Sequence, residues 1–165
     1  MQRLSGLLLA ILVTSMVQAQ QRPDAIRVCV FTANSTSGVA ADKELQRNVL
    51  VKALERTNKD KDVKNGKAAP IEAIPLELEE RDKDCPFVLS TDVGRFGASG
   101  IALGPDADVT ANYRMVRSGD KKDWTSGTVS AHGQPQDKML VLQLMEEVAS
   151  RVAKELRTPH PAAPQ

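Results

Sequence analysis

The chain is poor in aromatic residues: Phe31, Phe87, Phe96, Tyr113 and Trp124 make up only 3% of its 165 positions. A platform that reads single-stranded nucleic acid by stacking bases lacks the material. It also lacks a surplus of either charge, with 22 Lys and Arg against 21 Asp and Glu. Affinity for phosphate backbones rests on a basic excess, so nucleic acid is not expected as a partner. Histidine is scarce too: His160 sits among prolines near the end, which leaves His132 as the one a fold could hold in place. With 41% apolar residues the composition is otherwise that of an ordinary globular domain, and the length suits a single one.

No apolar run is long enough to cross a bilayer comfortably. The longest, Leu4 to Val17, follows Arg3 and leads into Val17-Gln18-Ala19, where a signal peptidase reads small residues. We read residues 1–19 as an export signal cleaved after Ala19; the alternative, an uncleaved anchor, falls short of the ~20 residues a spanning helix needs. No cysteine follows the run, so a lipid anchor is not expected, nor is membrane insertion after cleavage. Cleavage removes Arg3 and no acid, leaving an electrically balanced exported chain, periplasmic or extracellular.

That exported chain holds two cysteines, Cys29 and Cys85. In an oxidising compartment they can pair, and in the chain-entropy model closing a loop of this length stabilises the fold by ~4 kcal/mol. The alternative is two separate thiols. The spacing excludes a Cys-x-x-Cys redox site, and two Cys with one usable His make no zinc site.

Residues 24–157 read as one α/β domain of the α+β kind: a mixed sheet of four or five strands with two helices, in the order β-α-β-β-β-β-α. Ile26 to Ala33 (IRVCVFTA) is apolar on both faces and should be a central strand. Asn34 to Gly38 ends it. Val39 to Thr57 places Leu45, Val49, Leu50, Ala53 and Leu54 at helical spacing. Asn58 to Ala69 is polar and reads as a solvated connector. Ile71 to Leu78 has strand character, but Pro75 cannot donate to a ladder and assigns it to an edge. Pro86 to Val93 reads as a strand running out to a loop with glycines at 94, 97, 100 and 104. Strict alternation from Val109 to Val116, a turn at Ser118 to Lys122 and a return from Trp124 to Ala131 predict a hairpin. Asp137 stands at an N-cap position before a helix to Arg157, with Val141, Leu144, Met145, Val148, Val152 and Leu156 on its apolar stripe. Residues 158–165, with three prolines, read as a disordered tail.

No coherent catalytic set emerges. There is no Gly-x-Ser-x-Gly elbow, and the glycine-bearing loop lacks the Lys-Ser/Thr step and ensuing helix of a phosphate cradle. Asp60/Asp62, Asp82/Asp84 and Asp106/Asp108 could in principle bind calcium, but Lys64 and Asn65 break the calcium-loop pattern counted from Asp60. No metal and no cofactor are expected. Asn34-Ser35-Thr36 matches the glycosylation sequon, a pattern common by chance.

The runs IRVCVF from Ile26, CPFVLSTDVG from Cys85 and VTANYRMVRSGDKKDWTSGTVSAHG from Val109, followed by an amphipathic helix, resemble the TolB amino-terminal-like and curli-assembly-lipoprotein-like α/β domains of bacterial envelopes. Cys85-Pro86-Phe87-Val88-Leu89 and Tyr113 to Gly119 occupy the places of that family's later strand and hairpin themes. Pro86 replaces a tyrosine-like beginning, Cys29 is unusual in the first strand, and the lipoprotein cysteine is missing. The resemblance implies an envelope domain that binds or assembles with other proteins, and it transfers no catalytic residue. With the export signal, the two cysteines and the lack of a catalytic set, the leading reading is a non-enzymatic exported module whose partner is another envelope protein.

The expected binding surface is the glycine-bearing loop, where Phe96, Ile101 and Leu103 are apolar, together with the wet face of the next strand at Thr110, Asn112 and Arg114. The rival reading is a small secreted hydrolase with Asp92 or His132 as acid or base near that loop. A cystatin-like inhibitor ranks last, since no glutamine-valine-glycine hairpin is present.

Overall fold

A computed structural model describes residues 23–35, 43–77, 85–96, 107–119, 123–134 and 137–158. The export signal, Ile101, Leu103, the tail beyond Thr158 and the acid pair Asp82/Asp84 lie outside the described residues. What is described is one α+β domain with a mixed five-stranded sheet. Strand β1 (Ile26–Ser35) is followed by helix α1 (Lys43–Arg56), a 3-10 turn (Thr57–Lys59), the one-turn helix α2 (Lys61–Lys64) and β2 (Ile71–Pro75). Then come β3 (Phe87–Phe96), β4 (Ala107–Arg117), β5 (Asp123–Gly133) and α3 (Lys138–Arg157). The sheet order is β2-β1-β3-β4-β5, with β1 parallel to both neighbours and the other pairings antiparallel.

The burial pattern explains the order. Val28, Cys29 and Val30 are all fully buried, so β1 has no face that water could wet and must sit inside the sheet. Both long helices pack against each other on one side, α1 over β1 and β2, α3 over β4 and β5. Beneath them lie Val28, Val30, Leu89, Val93, Val109, Ala111, Met115 and Val129, met by Leu50 and Leu54 of α1 and by Leu144, Met145, Val148 and Val152 of α3. Thr32 and Thr91, partners across β1 and β3, satisfy each other within this layer at 3.4 Å. Asp137 caps α3 by accepting from the Met139 amide at 2.8 Å.

A smaller cluster lies on the opposite face, formed by Cys29, Cys85 and Val88 with Ile74 and Leu76 beside them. It marks a second crossover. The step from β1 to β2 runs through α1 on the helix side, and the return from β2 across β1 to β3 keeps the same hand only if it uses the other side. Its described ends, Leu76 and Cys85, are there. Cys29 and Cys85 form a disulfide with their Cα atoms 5.9 Å apart, and both are buried to within 1%. The Cys85 carbonyl accepts from the Ser118 hydroxyl, and the Ser118 amide donates to Pro86 O at 2.7 Å, so this strand entrance is tied to the end of β4 as well.

Several local readings need correction. Helical spacing puts Leu45 on the apolar stripe of α1, yet Leu45 is 39% exposed and Gln46 is fully buried. The buried set Gln46, Leu50, Ala53 and Leu54 follows the helical period that the core imposes, whatever the polarity of the first member. The connector from Asn58 to Ala69 is partly helical, because the Asp60 carboxylate caps α2 by accepting from the Asp62 amide at 3.0 Å. Strand β1 continues through Asn34 and Ser35, with a register shift between Thr32 and Asn34. Gly94 to Phe96 and Ala107 belong to strands, which shortens the expected loop. His132 and Gly133 are the last residues of β5 and not a connector.

Val148 has no exposed surface at the centre of the α3 interface. Val148→Asp should therefore cost more than about 4 kcal/mol in urea unfolding, since an unpaired carboxylate would be buried, whereas Lys52→Ala on the exposed side of α1 should stay within about 0.5 kcal/mol. Replacing both Cys29 and Cys85 by Ser should lower stability by about 2–4 kcal/mol while the far-ultraviolet circular dichroism of the folded chain is retained. Gly127 stands opposite Tyr113, and a Cβ there would lie 2.7 Å from its hydroxyl oxygen and 2.9 Å from Cζ. Gly127→Ala should cost about 1–3 kcal/mol through displacement of the ring, measurable as a shift in the urea midpoint.

Candidate functional site

Among the described residues, the buried apolar cluster on the side of the sheet away from the helices is the one around the disulfide. Over β4 and β5 that side is a ladder of polar cross-strand pairs: Asp108 with His132, Thr110 with Ser130, Asn112 with Thr128, and Arg114 with Ser126. Alternation puts these side chains there, because their neighbours Val109, Ala111, Tyr113 and Met115 are claimed by the core. A cavity of about 400 Å³ lies over the middle of the ladder, lined by Asp108, Thr110, Asn112, Thr128 and Ser130.

Most of the groups on this face are already joined to each other. His132 Nδ1 lies 2.9 Å from Asp108 Oδ1 with both side chains more than half exposed. The Thr128 hydroxyl donates to Asn112 Oδ1 at 2.7 Å, Arg114 Nε donates to Asp123 Oδ1 at 2.6 Å, and the Thr110 hydroxyl donates to Gly94 O at 3.4 Å. An exposed ion pair such as that of Arg114 with Asp123 contributes little stability. Near the hairpin end, Trp124 meets the Phe87 ring edge-on with centroids 5.3 Å apart, and the Arg117 guanidinium lies 5.7 Å above the indole.

The residues singled out from sequence are distributed unevenly over this face. Phe96 is opposite Asp108, so the glycine-bearing loop springs from the His132 end. Asn112 stands four residues farther along β4, about 13 Å away, and Arg114 lies about 20 Å from that end, held by Asp123. Asp92 is the partner of Asn112, while His132 is the partner of Asp108. The two residues of the hydrolase reading are therefore not brought together. His132 instead makes its contact with Asp108, which the sequence offered only as half of an acid pair. Among the described residues no three His, Cys, Asp or Glu side chains gather as a metal site.

A larger cleft, about 910 Å³, opens among α1, α2 and α3, with Arg56, Asp60, Lys67, Lys154 and Arg157 on its walls. Arg157 is a clamp here: its guanidinium donates to Ala69 O, Thr57 O, Thr57 Oγ1 and Asn58 Oδ1 at 3.1–3.4 Å. Asn58 in turn holds both the amide and the carbonyl of Ile71 at 2.8 Å. Partial burial among neutral oxygens pushes the Arg157 pKa down from its ordinary value, with Asp60 opposing the shift. This network joins the end of α3 to the first residue of β2. The sequence marks Arg157 only as the end of the last helix.

A third cleft runs between β5 and α3, where Thr128 to Ala131 face Gln143, Glu147 and Arg151. Arg151 Nε donates to Glu147 Oε1 at 2.8 Å, and its Nη1 reaches the Thr128 carbonyl at 3.3 Å. The hydrogen bond with Glu147 is the main reason the Arg151 pKa lies above its ordinary value.

No protein-family model matches the chain, and no curated protein matches its sequence. Solved structures do match in fold. The PelC dodecamer from Paraburkholderia phytofirmans is similar with a TM-score of 0.54 in one crystal form, at 17% identity over 83% of this chain and 91% of that one. A second crystal form of the dodecamer gives 0.52, at 16% identity over 81% and 90%. A hypothetical protein from Chlamydia trachomatis gives 0.50, at 9% identity over 81% and 98%. The likeness is one of architecture, spans nearly the whole of those chains, and assigns the chain to no particular family.

Proposed function

We propose that this chain is an exported, non-enzymatic module of a bacterial envelope that acts by assembling with other protein chains. The observation that carries the reading is the fold shared with PelC, whose structures are dodecamers. The buried disulfide supports an oxidising compartment, in keeping with cleavage of residues 1–19 on export. The polar ladder supports a face built for contact or solvation: its side chains are ordered by one another, so docking would immobilise few new rotamers.

In this reading the partner is another envelope protein, bound through the glycine-bearing loop with Phe96, Ile101 and Leu103 and through the adjoining face at Asn112 and Arg114. The loop would supply apolar anchors and the ladder the polar surround. Replacing Phe96, Ile101 and Leu103 with Ser should abolish capture of the partner by affinity-tagged chain from cross-linked envelope extracts, with the melting temperature unchanged. Asn112→Ala with Arg114→Ala should weaken capture about tenfold or less, as expected of rim contacts. A fall in melting temperature of the triple variant would show instead that the loop packs on its own domain, and undiminished capture by both variants would move the binding surface elsewhere.

A further inference from the structure

The two edges of the sheet are built differently. The outer edge at β2 is five residues long and ends in Pro75, two ordinary ways of preventing strand addition. The edge at β5 is eleven residues long, with no proline and with no Lys, Arg, Asp or Glu between Trp124 and His132. Among the described residues from Ser126 to His132, a hydrogen bond reaches its outward backbone at Thr128, whose carbonyl accepts from Arg151.

That contact also reveals which backbone groups face outward. A residue in a strand points its N–H and C=O to the same side, so if Thr128 points away from β4, then Ser126, Ser130 and His132 do too. An antiparallel copy of the same edge, with its two-fold axis at Val129, sets Thr128 of one copy against Ser130 of the other and Ser126 against His132. Every outward donor then meets an outward acceptor, giving about eight backbone hydrogen bonds between copies.

The flanking helix fits the same axis. Helix α3 runs antiparallel to β5, since Arg151 reaches Thr128 while Leu140 lies against Gly133. Glu147 is four residues before Arg151, about 6 Å back along the helix, and two strand residues cover about 7 Å. Glu147 is therefore level with Ser130. When Thr128 of one copy faces Ser130 of the next, Arg151 of the first faces Glu147 of the second, and the relation repeats by symmetry.

We propose that the β5 edge is a self-association surface, occupied by β5 of a second copy of this chain in antiparallel register about Val129, with Arg151 and Glu147 pairing across the axis. The proposal rests on the assembly reading above and names one interface for it. In the single chain Arg151 shields the edge by occupying the Thr128 carbonyl. On association that carbonyl takes the Ser130 amide of the other copy, and the guanidinium turns to the other copy's Glu147. Such an interface is isologous and closes as a dimer.

Sedimentation equilibrium of the purified full chain over a wide concentration range tests it. The native sequence should show a mass of two chains at the upper end. Ser130→Pro removes an outward N–H without touching the β4 ladder, and it should sediment as one chain with unchanged far-ultraviolet circular dichroism. Arg151→Glu alone should dissociate the dimer by setting like charges together, and adding Glu147→Arg should restore it, a rescue that a role confined to one chain would not give. An assembly that survives both Ser130→Pro and Arg151→Glu would overturn this interface and leave the assembly reading standing. A native chain that sediments singly at every concentration would also overturn it, while capture of a different envelope protein would decide the broader reading separately.

Discussion

Everything in this fold depends on β1 being flanked by parallel strands on both sides. A parallel neighbour cannot be reached by a tight turn, so the chain has to cross over twice: once out to β2 and once back over β1 to β3. The outward crossing has a helix to cover it and a large apolar layer to hold it. The return crossing has no helix among its described residues, only the small cluster around Cys29 and Cys85. The disulfide fastens the strand at the centre of the sheet to the entrance of β3, within that small cluster. Two cysteines that looked like a generic consequence of export are thus specific to the topology.

Long-period and strictly alternating patterns were legible in the sequence. The double-sided burial of β1, the alternation from Val109 to Met115, the N-cap at Asp137 and the stripe on α3 all reflect demands that one element makes on its own residues. What escaped was set by partners distant in sequence. Leu45 and Gln46 exchange the places their polarity suggests because α3 and the sheet together decide which side of α1 is inward. His132 lies just beyond the return strand that the sequence predicts to Ala131, and its pairing with Asp108 across the hairpin extends that strand.

The candidate face was readable in part. Alternation identified Thr110, Asn112 and Arg114 as the wet side of β4, but pairing with β5 decides how free they are. Arg114 is held by Asp123 and Asn112 by Thr128, and neither bond follows from spacing within one strand. The β5 edge was invisible at the sequence level for a different reason. Whether a strand is an edge is a property of the sheet order, and a run such as WTSGTVSA carries no mark of its own position.

The clamp made by Arg157 bears on the order in which the domain can be completed. Ile71, the first residue of the edge strand β2, is held by Asn58, and Asn58 is held by Arg157, the last residue of α3. A chain synthesised from its amino end presents β1, α1 and β2 long before Arg157 is present. The sheet margin at β2 is therefore locked only once Arg157 is present, and a chain cut short within α3 would leave that margin open to whatever lies nearby.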